Sequence, residues 1–199
     1  ALRIYNGIPI VNSCNGEEAN MQAILPLIKK YGANVIGLTL DEKGIPETKE
    51  KRLEIGKRIT ACAQAYGIEK QRVFLDCLTL TVSAQQDQAK QTLQTLTAIR
   101  KELGVQSVLG VGNISFGLPQ RSILNQHFLT MALSAGLTMP IINPNQKVMM
   151  DAIRAYRVLS GLDKDCMAYV EAYANMSNQP VTQTSNKEVT LMEAVCKGL

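Results

Sequence analysis

One histidine, His127, stands in the whole chain, and tryptophan is absent. So little imidazole excludes a histidine-rich metal site, and a Ser–His or Cys–His pair would rest on that single residue. His127 lies inside a helical pattern, where a packed or half-exposed histidine is the plainer reading. The five cysteines (Cys14, Cys62, Cys77, Cys166, Cys196) are odd in number and have no C-x-x-C spacing. That argues for reduced thiols in a cytoplasm, and against a disulfide framework or a zinc site. Aromatics are only 5% of residues, and the basic residues are scattered under a net charge of +4, so no nucleic-acid partner is expected. There is no apolar run long enough to span a bilayer and no charged-then-apolar leader, so no membrane association is expected either.

What is present is the composition of a globular domain, with 46% hydrophobic and 19% charged residues. Short, nearly continuous apolar runs predict strands over Ile8–Ser13, Asn34–Leu40, Val73–Leu80, Ser107–Asn113 and Met139–Asn143. Such runs suit parallel strands buried on both faces. Between them, Asp87–Leu103 and Pro119–Ala135 carry apolar stripes at spacings of three and four, with weaker versions over 47–66 and 145–160. Gly32, Gly67, Gly104, Gly136 and Gly161 each follow a helical pattern, where a left-handed cap is wanted.

This βα repeat predicts an α/β fold of the TIM (β/α)8-barrel type, because the units recur at barrel spacing. Polar residues gather at the strand ends (Asn12, Ser13, Thr39, Asp41, Asp76, Asn113, Ser115, Asn143), the face where a barrel builds its site. Only about five units are present, so the expectation is the C-terminal part of a barrel over residues 1–176. Residues 177–189 read as a polar linker, and 190–199 begin a new helical pattern.

The densest cluster of flexible and polar residues is VLGVGNISFGLPQR, 108–121. It does not match G-x-G-x-x-G, and Gly56–Lys57 lacks the upstream glycine of a phosphate loop. On spacing alone, the segment reads equally well as a βα connector with no task.

Resemblance decides further. IVNSCN at 10–15, GLTLDEKGIP at 37–46, VFLDCLTL at 73–80 and LGVGNISFGLPQRSILNQHFL at 109–129 resemble successive strand ends of the pterin-binding barrel of corrinoid-dependent methyltransferases. That family includes the methyltetrahydrofolate:corrinoid/iron–sulfur protein methyltransferases and the folate domain of cobalamin-dependent methionine synthases. The resemblance runs from about residue 3 to residue 173, and N-I-S-F-G-L-P-x-R with L-N-x-x-F-L behind it is its most specific part. TLMEAVCKGL at 190–199 resembles the start of the helical cap of a cobalamin-binding domain.

The resemblance implies methyltetrahydrofolate as substrate and a corrinoid (cobalamin) carried by a partner protein or a neighbouring domain, and a homodimer is expected. It assigns pterin contacts to Asp76 and Asn12. Chemically, a carboxylate at Asp76 can accept from a ring N–H and a 2-amino group together, and the amide of Asn12 both donates and accepts. Each also has a plainer reading, a residue that caps a turn after its strand. The resemblance places Asn113 at the pterin N5, where a hydrogen bond eases departure of the amine as the methyl group leaves. Ser115 joins the candidate binding residues, and Arg121 either holds the anionic folate tail, braces the loop, or is a solvated arginine at a helix start. Gly112 is a departure, since family members often carry serine there.

Two other functions compete. A dihydropteroate synthase would need a lysine–arginine loop after its penultimate strand and an arginine–histidine pair at its last. Here those positions hold GNISFGLP and IINPN. A non-catalytic fragment that binds pterin, or that docks on a corrinoid protein, remains the alternative from a different class.

Overall fold

A computed structural model describes residues 1–174. The linker and helical cap expected over 177–199 lie outside the described residues. Five strands form one parallel sheet in sequence order: β1 (Ile10–Asn15), β2 (Asn34–Leu38), β3 (Val73–Asp76), β4 (Gln106–Gly110) and β5 (Met139–Ile141). The helices are α1 (Glu18–Tyr31), α2 (Lys49–Ala65), α3 (Asp87–Ala98), α4 (Arg121–Ser134), α5 (Lys147–Leu159) and α6 (Met167–Tyr173). The α/β class is therefore as predicted. The sheet does not close into a barrel among the described residues, because β1 and β5 each have one neighbour.

Parallel strands laid down in sequence order by right-handed crossovers send every helix to the same side of the sheet. The packing shows that side. Val35, Val73, Leu75 and Leu109 join Leu25 and Ile28 of α1, Ile59 of α2, Leu96 of α3 and Leu129 of α4 in one buried cluster. Burying each such side chain stabilises the fold by about 1.5–3 kcal/mol. The residues that alternate with them (Asn12, Ile36, Leu38, Phe74, Asp76, Val108) point to the opposite face. Among the described residues, that face carries no helix.

Local chemistry explains most boundaries. The five glycines expected to end helices all have φ between 60° and 109°. The stripe of α3 runs on past Ala98 into a π-helical turn, Ile99–Leu103, which Gly104 closes. The helical pattern expected before Gly32 is α1, which continues through Pro26 and buries one face with Met21, Leu25 and Ile28. α4 starts at Arg121 rather than at Pro119, after Gln120 takes a left-handed conformation with φ 49°.

Two strand edges, and a sheet face with no helix packed on it among the described residues, predict that the chain on its own self-associates. Ile10 and Ile141, on the two edge strands, are 45% and 49% exposed. Light scattering of the purified chain should find oligomers or aggregate. A sharp monomer peak together with a cooperative melt would contradict this expectation.

Candidate functional site

The parallel register sets the level of each polar residue. Asp76, the last residue of β3, lies level with Leu38 and Val108 on its two neighbours. Asn15 pairs with Leu38 and so shares that level, whereas Asn12 pairs with Ile36, further back along the sheet. Asn113 follows the end of β4 in a 3-10 turn, Val111–Ser115. Asn12 and Asp76 thus share the helix-free face, and the turn bearing Asn113 leaves the same C-terminal edge.

Asp76 is held tightly. Its backbone carbonyl accepts from both the N–H and the hydroxyl of Thr39, at 3.0 and 2.9 Å. Its Oδ1 accepts from the Leu78 N–H at 2.8 Å, within a turn where Leu78 has φ 58°. A left-handed leucine costs about 1–2 kcal/mol, so surrounding contacts must hold it. The turn-capping role weighed for Asp76 is therefore real, but it occupies one oxygen only. No hydrogen bond reaches Oδ2 among the described residues, and it is not among the sealed, unpartnered polar atoms. Burial pushes the Asp76 carboxyl up to about 6, against the smaller lowering effect of the Leu78 N–H.

Asn12 is exposed inside a strand, and its side chain has no hydrogen bond among the described residues. The turn role considered for it belongs instead to Asn15, whose Oδ1 accepts from the Glu17 N–H at 3.0 Å. Asn113 is exposed as well. A Cβ at Gly110 would meet the Asn113 Nδ2 at 3.1 Å, so glycine there leaves room for the amide to fold over the strand end.

Ser115 and Arg121 turn inward. Ser115 is fully buried, and its Oγ lies 2.7 Å from Asn125 Oδ1 and 3.0 Å from Arg121 Nε, which donates to it. The Ser115 hydroxyl is thus engaged within the loop that it holds. Arg121 Nη2 donates to the Gly112 carbonyl at 2.8 Å, and its guanidinium stacks 4.6 Å from the Phe116 ring centroid. Of the roles weighed for Arg121, bracing the loop is the one with contacts. A Cβ at Gly112 would find only ordinary contacts, 3.8 Å from Arg121 and 3.9 Å from Asn125. The loops after β3 and β4 are also tied together, since Thr81 and Ser83 hydroxyls both donate to the Phe116 carbonyl, at 2.7 and 2.8 Å.

His127 is exposed on α4, with Nδ1 2.8 Å from the Ile123 carbonyl. No cluster of three or more potential metal ligands occurs among the described residues. None of their helices is long and apolar enough to cross a membrane. Cavities of about 880 and 750 Å³ lie among α3, α4 and α5, and neither is lined by Asn12, Asp76 or Asn113. Two structural residues escaped the sequence reading. Asn125 sat unassigned within the L-N-x-x-F-L motif, whereas Arg52, fully buried on α2, is hidden in a charged stretch that reads as a solvated face.

Residues 1–143 match the family model described as pterin binding enzyme. A methylcorrinoid:tetrahydrofolate methyltransferase of Eubacterium limosum is 30% identical over 177 residues, 86% of this chain and 65% of the relative. A methionine synthase of Mycobacterium leprae is 33% identical over 175 residues, 81% of this chain and 14% of the relative. Its counterpart in Mycobacterium tuberculosis is 33% identical over 156 residues, 72% of this chain and 13% of the relative. The chain thus spans 65% of the first relative's length and about one seventh of the synthases'.

The raised Asp76 carboxyl has a measurable cost. A folded-state value of about 6 stands above the ordinary 3.8, so the native state favours the protonated form. The stability associated with that proton is complete below about pH 4 and is lost as pH rises through about 6. Asp76→Asn keeps an acceptor for Leu78 and never ionises. It should therefore melt higher than the unsubstituted chain at pH 7.5, by the equivalent of about 1–3 kcal/mol, with the gap closing towards pH 4. Thermal melts across that range would check it, and a gap independent of pH would refute the assignment.

Proposed function

The chain belongs to the family of pterin-binding enzymes, and on that premise we propose that it binds methyltetrahydrofolate and transfers its N5-methyl group to the Co(I) of a corrinoid. The corrinoid would be carried by a partner protein or a neighbouring domain, and the active species would be a homodimer. The observation that supports this reading best is that Oδ2 of a half-buried Asp76 and the amide of Asn12, on the same face, have no hydrogen-bond partner among the described residues. In this proposal the five-stranded arc forms part of a (β/α)8 barrel whose interior is the helix-free face.

The donor and acceptor set suits a pterin edge. A carboxylate with one oxygen free accepts from a ring N–H or a 2-amino group, and a charge-assisted contact is stronger than a neutral one. Asn12 supplies a donor and an acceptor to the remaining polar atoms of the ring. The sole histidine is on the outer surface of α4, so cobalt ligation is not assigned to this chain. When presented, the corrinoid supplies the metal that takes the methyl group.

Asn113 has the sharper task. As the C–N bond breaks, N5 keeps the electron pair and becomes a stronger acceptor, finally taking a proton from water. An Nδ2–H held against N5 stabilises that change more than it stabilises bound substrate. The Eubacterium limosum relative is named for methyl transfer from a methylcorrinoid to tetrahydrofolate. The same amide would serve that direction too, since forward and reverse paths share one transition state. Bracing of the 110–121 loop by Arg121 and Ser115 supplies the preorganisation such a donor requires.

Asp76→Ala is expected to weaken methyltetrahydrofolate binding by about 2–4 kcal/mol in calorimetric titration. Unchanged affinity would leave Asp76 a turn residue only. Asn113→Ala should slow methyl transfer to Co(I) corrinoid by roughly 10²–10³, with a smaller loss of binding. Single-turnover kinetics on the Co(I) absorbance, beside a binding titration, separates the two. Equal losses would make Asn113 a pterin anchor, and no loss in either would return the loop to a connector.

A further inference from the structure

Arg52 is the largest fully buried side chain among the described residues, and none of their carboxylates forms an ion pair with it. Its partners are neutral oxygens in three directions. Nε donates to the Pro46 carbonyl at 2.7 Å, in the loop between β2 and α2. Nη1 donates to the carbonyls of Cys77 and Leu78, at 3.1 and 3.2 Å, and to Thr92 Oγ1 at 3.1 Å. Nη2 donates to Gln88 Oε1 at 2.6 Å, and the Gln88 amide in turn donates to the Glu47 carbonyl at 3.2 Å. Burial pulls the Arg52 guanidinium below the ordinary arginine range, which is the mark of a desolvated charge.

A buried cation without a counter-charge is an expensive way to join two loops if stability were the only end. Its position suggests another. Two of its acceptors are the carbonyls of Cys77 and Leu78, the residues directly after Asp76. Leu78 is also the left-handed residue whose N–H holds Asp76 Oδ1. Guanidinium, peptide unit and carboxylate form one chain of hydrogen bonds running from helix α2 to the helix-free face.

We propose that Arg52 is a positioning residue for the pterin site, fixing the Cys77–Leu78 turn so that Asp76 presents one oxygen to the ligand while Leu78 holds the other. This rests on the reading of Asp76 as the pterin acceptor. A planar fork of five donors reaches all three directions at once, and a lysine at this position would reach only one or two. Charge alone is therefore not what the site uses.

A double-mutant cycle in the full chain tests the idea. Arg52→Lys should weaken methyltetrahydrofolate affinity about tenfold where Asp76 is intact, and less than twofold in an Asp76→Ala background, both read by competition calorimetry. An equal loss in the two backgrounds would overturn the proposal, leaving Arg52 a purely structural clasp. If Arg52→Lys fails to fold, Gln88→Met removes one acceptor while keeping the guanidinium, and the same asymmetry is expected at about threefold.

A second readout needs no ligand. The Asp76 side-chain carboxyl, followed by carbon NMR, should titrate near pH 6 in the unsubstituted chain, because burial pushes it up to about 6. Its midpoint should rise in Arg52→Lys, or in Gln88→Met, as the Leu78 N–H loosens from Oδ1. An unchanged or lowered midpoint overturns the positioning role. If the unsubstituted chain binds no pterin, or Asp76→Ala binds as well as it does, the proposed function fails, while this titration still decides the link between Arg52 and Asp76.

Discussion

Strand order is the constraint on which the rest depends. Five parallel strands adjacent in the order they are synthesised can bury only one face under their connecting helices. The other face is then free for side chains that a helix-covered sheet would not tolerate. An exposed asparagine inside β1 and a half-buried aspartate at the end of β3 occupy that face because nothing on the helix side competes for it. The candidate site is a consequence of winding in one direction.

The site is rigid where it must be and costly for the same reason. Thr39 fixes the Asp76 backbone from β2, Leu78 fixes one carboxylate oxygen, and Arg52 fixes Leu78. Burial removes water from the Asp76 carboxyl and raises it, and the Leu78 N–H offsets only part of that rise. The loop after β4 repeats the pattern with different parts, as Arg121, Ser115 and Asn125 lock it from within. Thr81 and Ser83 then fasten one loop to the other, so Asp76 and Asn113 stand on a shared frame.

Much of this was legible in the sequence, for identifiable reasons. Strands appeared as apolar runs and helices as stripes closed by glycine, because burial on the helix side is nearly complete. The errors sit at the strand ends. The run Val73–Leu80 is apolar throughout, yet β3 stops at Asp76 because Leu78 turns left-handed. The run to Asn113 likewise stops at Gly110, where the chain winds into a 3-10 turn. Asn12, Asp76 and Asn113 stood out as polar residues closing apolar runs. Arg52 could not, since KEKRLEIGKR has the pattern of a charged surface and only the packing of α2 against β3 and α3 reveals the cation inside. Ser115 and Arg121 were visible as residues but not as partners of each other.

The register of β1 carries a last consequence. Asn12 pairs with Ile36 and Cys14 with Gly37, so one additional residue is accommodated between them. Asn12 and Asn15 are three positions apart, and simple alternation would set them on opposite sides of the sheet. The bulge resets the count, and Asn15 comes level with Leu38 and Asp76. In the arithmetic of odd and even positions, one inserted residue changes which letters of the strand can be spent on chemistry and which belong to the core, without altering any of them.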